Sequence, residues 1–445
     1  MARQLFGTDG IRGVAGQYPL EPRLVHCFGA ALADWAAEHS EHPEVIIGMD
    51  TRESGTWLAE EVAGGLARQG VKTRFAGLTT TPGVAYLAKT MDFVAGVMIS
   101  ASHNPFQDNG LKVFAHTGYK LADEDEEKLE AALFAFRESG LESKAQTLTV
   151  DEGLDDAYID HLASTFAGSL GGIKLVIDCA NGASTHLAPK LFRRLGAEVV
   201  AIGCEPNGRN INLGCGALHT NNLVKKVIET GADAGVAFDG DADRAMFVSK
   251  SGKVVDGDHM LLITARKLKQ QGRLPGNRVV ATVMSNLGLQ RALEADGIEL
   301  ARTPVGDKYV LEEMIRSGAG LGGEQSGHVI FHEHATTGDG MLTAIRVLET
   351  VRDAGKDLDE LTNDFKIYPQ TLVNVKFRVK RPLAELDTVN AEIRRVETAF
   401  GPAGRVVVRF SGTEPLARVM VEGPELPLVE SAASRIADAI RTELA

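Results

Sequence analysis

The sequence feature that most constrains the fold is a pattern repeated three times, in which an apolar strand is followed by a helix-compatible segment and a second strand. The strands that open the three units are EVIIGMDTR (44–52), KLVIDCANGAS (174–184) and NRVVATVMSN (277–286). Each unit later reaches another apolar strand that ends in polar residues: FVAGVMISASHN, ADAGVAFDGDADR and GAGLGGEQSGHVIF. Strands that alternate with helices predict α/β sheets. We therefore expect three similar α/β domains with mixed sheets in series.

The last part of the chain has a different pattern. Beyond about residue 365, the alternating strands TLVNVKFRVK and GRVVVRFSGTEPLARVMVEG precede a helical tail, an order that predicts a smaller α+β domain. A chain of 445 residues is also too long for a single hydrophobic core. We place the four domains at residues 1–150, 151–255, 256–365 and 366–445.

Composition limits the partners that the chain can have. The 47 Lys and Arg residues against 60 Asp and Glu leave a net charge of -13, which disfavours non-specific binding to nucleic acid or to anionic membranes. The N-terminus has no signal-type apolar stretch and no apolar run is long enough to span a membrane, so we expect a cytoplasmic protein. Four cysteines without CxxC or metal-type spacing predict free thiols in a reducing compartment: Cys27, Cys179, Cys204 and Cys215.

Three aspartates alternate in FDGDADR, immediately after an apolar strand. Crowded carboxylates repel one another unless a cation neutralises them, and hard oxygen ligands suit Mg²⁺ or Ca²⁺. An EF-hand is excluded, because the sixth position is Arg244 instead of glycine and the twelfth is Lys250 instead of glutamate. Mg²⁺ bound by Asp239, Asp241 and Asp243 would still need a phosphate or water, which indicates phosphoryl transfer. A solvated acidic turn is the alternative.

Ser102 is a second candidate, in the stretch MISASHNPFQDNG. It could be a hydrolase nucleophile, a phosphorylated residue or only a capping hydroxyl. A hydrolase is disfavoured, because the neighbouring His103 would point away in an extended backbone. A phosphorylated Ser102 would instead supply the anionic oxygen that the aspartate cation lacks. Lys112, folded back by a turn at Asn109-Gly110, would face Ser102; it would stabilise phosphoryl charge, or act as acid/base if cations such as Arg12 lowered its pKa.

Two further loops place polar groups beside glycine. RFSGTEPLAR (409–418) combines guanidinium, hydroxyl and glycine N–H groups that together suit a phosphate ester, with an ordinary turn as the alternative. GGEQSGH (322–328) supplies polar side chains that suit sugar hydroxyls, although this signal is weak by itself.

These motifs, in this order, closely resemble those of the α-D-phosphohexomutase family: FGTDGIRG (6–13), ISASHNP (99–105), DGDADR (239–244), GGEQSGH (322–328) and RFSGTEP (409–415). The resemblance extends over essentially the whole chain. It implies four domains around a central cleft and an isomerase that moves a phosphoryl group within a hexose phosphate. The forms MSNLGL (284–289), GGEQSGH and RFSGTEP are most similar to the branch of the family that acts on glucosamine phosphates.

The resemblance also implies roles for individual residues. Ser102 would be the phosphoserine, with Ser100 a bystander, and its phosphate would bind Mg²⁺ together with Asp239, Asp241 and Asp243. The other candidates would surround the transferring group, bind the sugar or grip the distal phosphate: catalytic Arg12, His103, Lys112, Arg244 and His328; sugar-binding Glu324 and Ser326; phosphate-binding Arg409, Ser411, Gly412, Thr413 and Arg418. His328 could share proton transfer with Lys112. The sequence departs from the pattern of phosphomannomutase relatives at two places. It has Gly306-Asp307 where they have Gly-His, and it has ATVMSN where they carry a lysine.

The expected reaction interconverts glucosamine 6-phosphate and glucosamine 1-phosphate, on the route to UDP-N-acetylglucosamine and cell-wall precursors. Mg²⁺ would be the cofactor, and glucosamine 1,6-bisphosphate the intermediate and activator. The expected partner is a hexosamine phosphate, with no nucleic acid and no membrane, and a homodimer is left open. The alternatives are a phosphoglucomutase or phosphomannomutase, a non-catalytic sugar-phosphate-binding regulator, and a metal-dependent phosphatase.

Overall fold

The computed structural model describes residues 4–379, 381–410 and 415–444. The chain forms two compact units, one comprising Met1–Val280 and Val305–Asn363 and the other Ala281–Pro304 and Asp364–Ala445. Within the described ranges, no helix is both long enough and apolar enough to cross a membrane. All four cysteines are free thiols, as predicted.

The first sheet consists of β1 (Phe6–Gly7), β2 (Gly10–Val14), β3 (Glu44–Met49), β4 (Lys72–Leu78), β5 (Ala95–Ile99) and β6 (Asp108–Ala115). The strand order is β1-β2-β6-β5-β3-β4; β3 runs parallel to β4 and β5, and β6 runs antiparallel to β5. The helices of this region are α1 (Pro22–His39), α2 (Gly55–Ala67), α3 (Thr81–Thr90), α4 (Asp123–Glu138) and α5 (Gly153–Ser164). One apolar cluster includes residues of α1, α2 and α4, and a second includes residues of α3 and α5. The parallel and antiparallel pairs make this sheet mixed. Strand β5 is buried along its whole length, as its continuous apolar sequence predicts.

The second sheet consists of β7 (Lys174–Asp178), β8 (Glu198–Ile202), β9 (Ala234–Phe238), β10 (Ala245–Ser249) and β11 (Val254–Val255), accompanied by helices α6 (Leu187–Arg194) and α7 (Asn221–Thr230). The strand order is β11-β10-β9-β7-β8. Here β7 is parallel to β8 and β9, whereas β10 is antiparallel to β9. This sheet is also mixed.

The next segment alternates helices and strands: α8 (Gly257–Gln270), β12 (Arg278–Thr282), α9 (Leu287–Ala295), β13 (Glu299–Thr303), α10 (Asp307–Ser317), β14 (Leu321–Gly323), β15 (Val329–Phe331), α11 (Gly340–Ala354) and α12 (Leu358–Leu361). Side chains cap the N-termini of several of these helices. Asp256 accepts a hydrogen bond from His259 N at the start of α8, and Asp339 accepts one from Leu342 N at the start of α11. The antiparallel strands β14 and β15 carry the segment 324–328 between them.

The C-terminal elements are β16 (Gln370–Lys376), α13 (Asp387–Phe400), β17 (Arg405–Phe410), β18 (Leu416–Glu422) and α14 (Leu426–Glu443). The three strands form an antiparallel sheet in the order β16-β18-β17 and share an apolar core with α13 and α14. The predicted strands and helical tail are confirmed, whereas α13 is a helix that the sequence pattern did not indicate.

Polar segments follow the carboxyl ends of three strands in the first unit. Residues 50–52 follow β3, residues 100–107 follow β5, and residues 239–243 follow β9. Ligands of α/β proteins bind at such strand ends. We refer to residues 100–107 as the serine loop, residues 239–243 as the aspartate loop and residues 323–328 as the glutamate loop.

Candidate active site

The hydroxyl of Ser102 points at the aspartate loop. Ser102 is 2% exposed, and its Oγ donates a hydrogen bond to Asp239 Oδ2 at 2.6 Å. The two loops are in close contact, because a Cβ added to Gly240 would lie 2.4 Å from the Ser102 carbonyl oxygen. The structure therefore brings together the two motifs that the sequence paired only by their chemistry.

Two details of the predicted serine loop are wrong. Ser102 has φ 51°, in the left-handed region instead of an extended one, so His103 does not point away: its Nδ1 lies 3.3 Å from Ser102 Oγ. Asn109-Gly110 is not the turn either, since both residues lie inside β6, where Gly110 pairs with Arg12. A Cβ on Gly110 would lie 2.6 Å from Ser100 O, so the glycine serves close strand packing.

Arg52, which the sequence analysis did not select, holds the serine loop. Its side chain is fully buried, and Nη2 donates to the carbonyls of Ser102 and Asn104, both at 2.9 Å. Nη1 donates to Pro105 O and, at 3.0 Å, to Asp108 O, while Nε donates to Asp50 Oδ2 at 2.9 Å. A guanidinium can satisfy several carbonyls at once because its donors lie in a fixed fork.

Ser100 and Asn212 also hold the serine loop in place. Ser100 Oγ donates to Asp50 Oδ2 at 2.6 Å and accepts from Ser102 N at 2.9 Å. Asn212 Nδ2 donates to the same two carbonyls that Arg52 binds, Ser102 O at 2.9 Å and Asn104 O at 3.2 Å. Ser100 thus faces away from the aspartate loop and supports the backbone, as the bystander role predicts.

The three aspartates form a group able to bind a cation. Asp239, Asp241 and Asp243 are buried, and one carboxylate oxygen of each lies within 4.8 Å of the others. Among the buried side-chain atoms described, Asp241 Oδ1 and Asp243 Oδ1 have no hydrogen-bond partner. Burial, followed by the charges of Asp243 and Asp241, raises the pKa of Asp239 well above its usual value. Unpaired buried carboxylate oxygens are costly, so the donor set fits a hard divalent cation.

Lys112 faces the aspartate loop and stays charged. Its Nζ lies 2.8 Å from Asp241 Oδ2 and 3.0 Å from Asp9 Oδ2. Burial alone would lower the pKa of Lys112, but the carboxylates of Asp241 and Asp9 outweigh burial and raise it. The condition set for an acid/base role, a pKa lowered by cations such as Arg12, is therefore not met, and of the two roles left open the geometry favours charge stabilisation.

A chain of ion pairs extends from Lys112 through residues that the sequence analysis missed. Lys120 Nζ lies 2.5 Å from Asp9 Oδ1 and 2.5 Å from Asp307 Oδ2, and Arg12 Nη2 lies 2.5 Å from Asp9 Oδ2. We call the series Asp241, Lys112, Asp9, Lys120 and Asp307 the ion-pair chain. Although burial opposes it, Lys112, Lys120 and Arg12 hold the pKa of Asp9 well below its usual value.

His328, Arg244 and His103 flank the aspartate loop. His328 Nδ1 lies 3.4 Å from Asp243 Oδ2, and Nε2 accepts from Gly338 N at 3.1 Å. These contacts fit an imidazole whose proton sits on Nδ1. Arg244 Nε is 3.7 Å from Asp243 Oδ1. Burial, then Arg244 and Arg12, lowers the pKa of His103 to about 4.

The glutamate loop is held through its backbone, since Gln325 O accepts from Gly257 N at 3.0 Å and Gly327 O accepts from Ala245 N at 3.1 Å. Glu324, Gln325 and Ser326 are half-buried, and Glu324 Oε1 accepts a hydrogen bond from Gly306 N at 3.2 Å.

In the C-terminal sheet, Arg409 and Arg418 lie directly opposite each other on β17 and β18. The remaining predicted phosphate ligands fall outside the residues that the structure describes: Ser411, Gly412 and Thr413.

Comparison with known proteins defines the class first. Four models described as phosphoglucomutase/phosphomannomutase match the chain: alpha/beta/alpha domain I at residues 3–141, domain II at 156–252, domain III at 256–368 and the C-terminal domain at 372–439. The chain belongs to this family, and it is therefore a phosphohexomutase, an enzyme of the isomerase class. The predicted fold class, α/β domains in series followed by a smaller C-terminal α+β domain, is confirmed.

Individual relatives of the chain point to a narrower class of enzyme than the family does. The chain is 63% identical to the phosphoglucosamine mutase of Solibacter usitatus, with 100% of both chains covered, and 48% identical to that of Koribacter versatilis, covering 99% and 97%. A phosphoglucomutase/phosphomannomutase family protein from Burkholderia thailandensis has a similar fold, with TM-score 0.82 at 24% identity over 98% and 96% of the chains. The N-acetylphosphoglucosamine mutase of Aspergillus fumigatus, solved with GlcNAc-6P and magnesium, aligns with TM-score 0.68 at 17% identity over 99% and 96%.

Proposed function

We propose that this chain interconverts glucosamine 6-phosphate and glucosamine 1-phosphate through a phosphoserine at Ser102. The observation that carries the proposal is the 2.6 Å hydrogen bond from the Ser102 hydroxyl to an aspartate of a buried triad. The phosphoglucosamine mutases to which the chain is 63% and 48% identical supply the substrate class. The product, an amino-sugar 1-phosphate, is the form that a nucleotidyl transfer to UDP-N-acetylglucosamine requires.

We assign the cation as Mg²⁺, bound by Asp239, Asp241, Asp243 and a phosphate oxygen on Ser102. Asp241 Oδ1 and Asp243 Oδ1 have no hydrogen-bond partner among the buried side-chain atoms described, whereas Asp241 Oδ2 is taken by Lys112 and by Thr81 Oγ1. Once bound, Mg²⁺ would neutralise phosphoryl charge as the group moves.

In the first half-reaction, O1 of glucosamine 6-phosphate attacks the phosphoryl group, the O1–P bond forms and the P–Oγ bond of Ser102 breaks. The serine loop holds Oγ in place, because Arg52 and Asn212 bind the Ser102 carbonyl. Lys112 and Arg12 would stabilise the charge of the transferring group. The proton that the O1 hydroxyl gives up passes to the departing Oγ, which ends as a hydroxyl, the form whose hydrogen bond to Asp239 Oδ2 is described above.

In the second half-reaction the 1,6-bisphosphate has turned over, and Ser102 Oγ takes the phosphoryl group from O6. Asp239 Oδ2 already accepts a hydrogen bond from Ser102 Oγ and is positioned to take its proton as the P–Oγ bond forms; the P–O6 bond breaks, and O6 takes up that proton to become the hydroxyl of the product. Because either phosphate must occupy the distal position in turn, we assign its grip to Arg409, Ser411, Gly412, Thr413 and Arg418. Glu324 and Ser326 would bind sugar hydroxyls in both orientations, and His328 and Arg244 would support the aspartate loop.

The test is kcat/KM of the purified phosphoprotein for glucosamine 6-phosphate, glucose 6-phosphate and mannose 6-phosphate, each with its bisphosphate primer. We expect glucosamine 6-phosphate to be favoured over glucose 6-phosphate by about tenfold to a hundredfold, since one charge-assisted contact at position 2 separates them. Equal or better use of glucose or mannose 6-phosphate would move the assignment to phosphoglucomutase or phosphomannomutase. Release of inorganic phosphate without isomerisation would instead identify a phosphatase.

A further inference from the structure

We propose that Asp307 binds the ammonium group at position 2 of the sugar and thereby selects amino sugars. This assignment rests on the proposed function, because it names the group that distinguishes glucosamine from glucose at the same site. No residue has yet been given that role, and a positively charged substituent is best recognised by a carboxylate that other cations leave incompletely neutralised.

Geometry restricts where such a carboxylate can lie. The amine of glucosamine is bonded to C2, the neighbour of C1, so when O1 faces Ser102 the amine is close to the transferring phosphoryl group. The partner must therefore belong to the surroundings of Ser102 and Lys112. The carboxylates of that region described above are Asp50, both of whose oxygens already accept hydrogen bonds from Arg52 or Ser100, the aspartate triad, the Asp9 and Asp307 members of the ion-pair chain, and Glu324.

Most of these carboxylates are already committed. The free oxygens of the aspartate triad face one another and fit a metal ion. Asp9 lies within ion-pair distance of three cations, namely Lys112, Lys120 and Arg12. Glu324 is proposed to accept hydrogen bonds from sugar hydroxyls. Asp307 is the carboxylate that remains.

Asp307 has an oxygen to offer. Its Oδ2 is bonded to Lys120 Nζ at 2.5 Å, and within the described part of the chain no hydrogen bond reaches Oδ1. The side chain is 20% exposed and lines a cavity of about 380 Å³ that also borders Gly7, Thr8 and Lys120. The carboxylate is thus accessible to a ligand at the end of the ion-pair chain.

The charge on Asp307 is only partly balanced. Lys120 is the single cation within ion-pair distance of Asp307 among the described residues, and the same Nζ lies 2.5 Å from Asp9. Asp307 therefore shares its one cation with another carboxylate, and a substrate ammonium would give it a second cationic partner. Glucose, with a neutral hydroxyl at position 2, gains less from it.

The backbone ties Asp307 to the glutamate loop. Asp307 is the first residue of α10, and the N–H of the preceding Gly306 donates to Glu324 Oε1 at 3.2 Å. This hydrogen bond therefore fixes the position of Asp307, proposed to bind the amine, relative to Glu324, proposed to bind the sugar hydroxyls. Gly306 has φ 135°, a conformation that favours glycine and that directs the chain into the helix at this point.

The experiment compares Asp307→Asn with wild type on two substrates, glucosamine 6-phosphate and glucose 6-phosphate. Asparagine keeps an oxygen that can accept from Lys120 but removes the charge. We expect kcat/KM for glucosamine 6-phosphate to fall about tenfold to a hundredfold and that for glucose 6-phosphate to change by less than about threefold. The matched control is Asp123→Asn, which removes a carboxylate that lines the same cavity and pairs with Lys308; its substrate ratio should equal that of wild type.

An equal loss for both substrates in Asp307→Asn would overturn the proposal, since a purely structural ion pair with Lys120 affects both sugars alike. An unchanged ratio with unchanged activity would overturn it as well. The wild-type measurement separates this result from the proposed function: if wild type does not favour glucosamine 6-phosphate, the function itself fails before Asp307 is tested. A thermal midpoint within a few degrees of wild type shows that the variant is folded.

Discussion

The serine loop and the glutamate loop differ in the groups that hold them in place. In the serine loop, Arg52 and Asn212 bind the carbonyls of Ser102 and Asn104, and Ser100 binds the amide of Ser102. In the glutamate loop the backbone supplies the contacts, since Gln325 O accepts from Gly257 N at 3.0 Å and Gly327 O accepts from Ala245 N at 3.1 Å, while the Glu324 side chain has one described hydrogen bond, accepted from Gly306 N. The loop that carries the reacting atom is thus held by buried side chains, whereas the loop proposed to bind the sugar is held through its backbone and keeps its side chains half-buried.

The difference has a physical reason in the proposed reaction. The phosphoryl group leaves and returns to the same Oγ, so the position of Oγ must be fixed before each transfer. The sugar must present first one end and then the other, so its partners need accessible groups instead of filled ones. Variants in the first loop should therefore reduce kcat, and variants in the second should act mainly through KM.

The largest expected effect is that of Ser102→Ala. Removing the covalent nucleophile should lower turnover by about four orders of magnitude or more, because binding cannot replace it. Ser100→Ala is the matched control in the same loop and should keep phosphate on Ser102 and much of the activity. Peptide mass spectrometry locates the phosphate. Phosphate on Ser100 alone, or an active Ser102→Ala enzyme, would contradict the assignment.

The next effect concerns the aspartate loop, whose three aspartates are buried. In Asp241→Asn the amide oxygen can keep the contacts with Lys112 and Thr81, while the NH₂ group replaces the free Oδ1. We expect the fold to survive and turnover to fall about a hundredfold or more through lost metal affinity.

The metal readout for Asp241→Asn is the rise of the thermal midpoint with Mg²⁺, which binding to the folded state produces in wild type and which the variant should lose. Chelation of wild type should reproduce the loss of turnover. If neither chelation nor the variant changes the rate, the aspartate loop is only an acidic turn.

Arg52→Lys tests the hydrogen bonds that hold the serine loop. Lysine keeps the charge beside Asp50 but cannot reach all the carbonyls that the guanidinium fork binds, so buried acceptors lose partners. We expect about 2–3 kcal/mol less unfolding free energy, and kcat lowered about tenfold or more with KM for the sugar little changed. Arg74→Lys, at a half-exposed pair with Asp151 in the same domain, is the control. A change in KM alone would place Arg52 in substrate binding.

Much of this organisation could be predicted from the sequence, because it depends on local patterns. Apolar strands that end in polar residues located Ser102 and the aspartate triad, and the need of a bound cation for a phosphate oxygen paired them. Asp50 and Arg52 follow β3 in the same way, so that signal was present in the sequence but was not used.

Other parts of the site had no local signal. The ion-pair chain joins Asp9, Lys120 and Asp307, residues far apart in sequence with no shared motif. Asn109-Gly110 resembles a hairpin turn, but the glycine is required by close packing on Ser100 O. The two roles considered for Lys112 could not be separated from the sequence, because the nearby Asp9, which helps to raise its pKa, could not be identified without the fold.

The smallest expected effect is that of Glu324→Gln in the glutamate loop. Glutamine keeps an acceptor for Gly306 N and can still bind hydroxyls, but it loses the charge that strengthens those hydrogen bonds. We expect KM for glucosamine 6-phosphate to rise about threefold to tenfold, with kcat and phosphate content at Ser102 close to wild type. Glu333→Gln, which alters a surface pair with Arg273, is the control and should leave both constants unchanged. If Glu324→Gln instead lowers kcat as strongly as Arg52→Lys while KM stays constant, the glutamate loop is as much a part of the fixed reacting frame as the serine loop, and the contrast between the two loops does not hold.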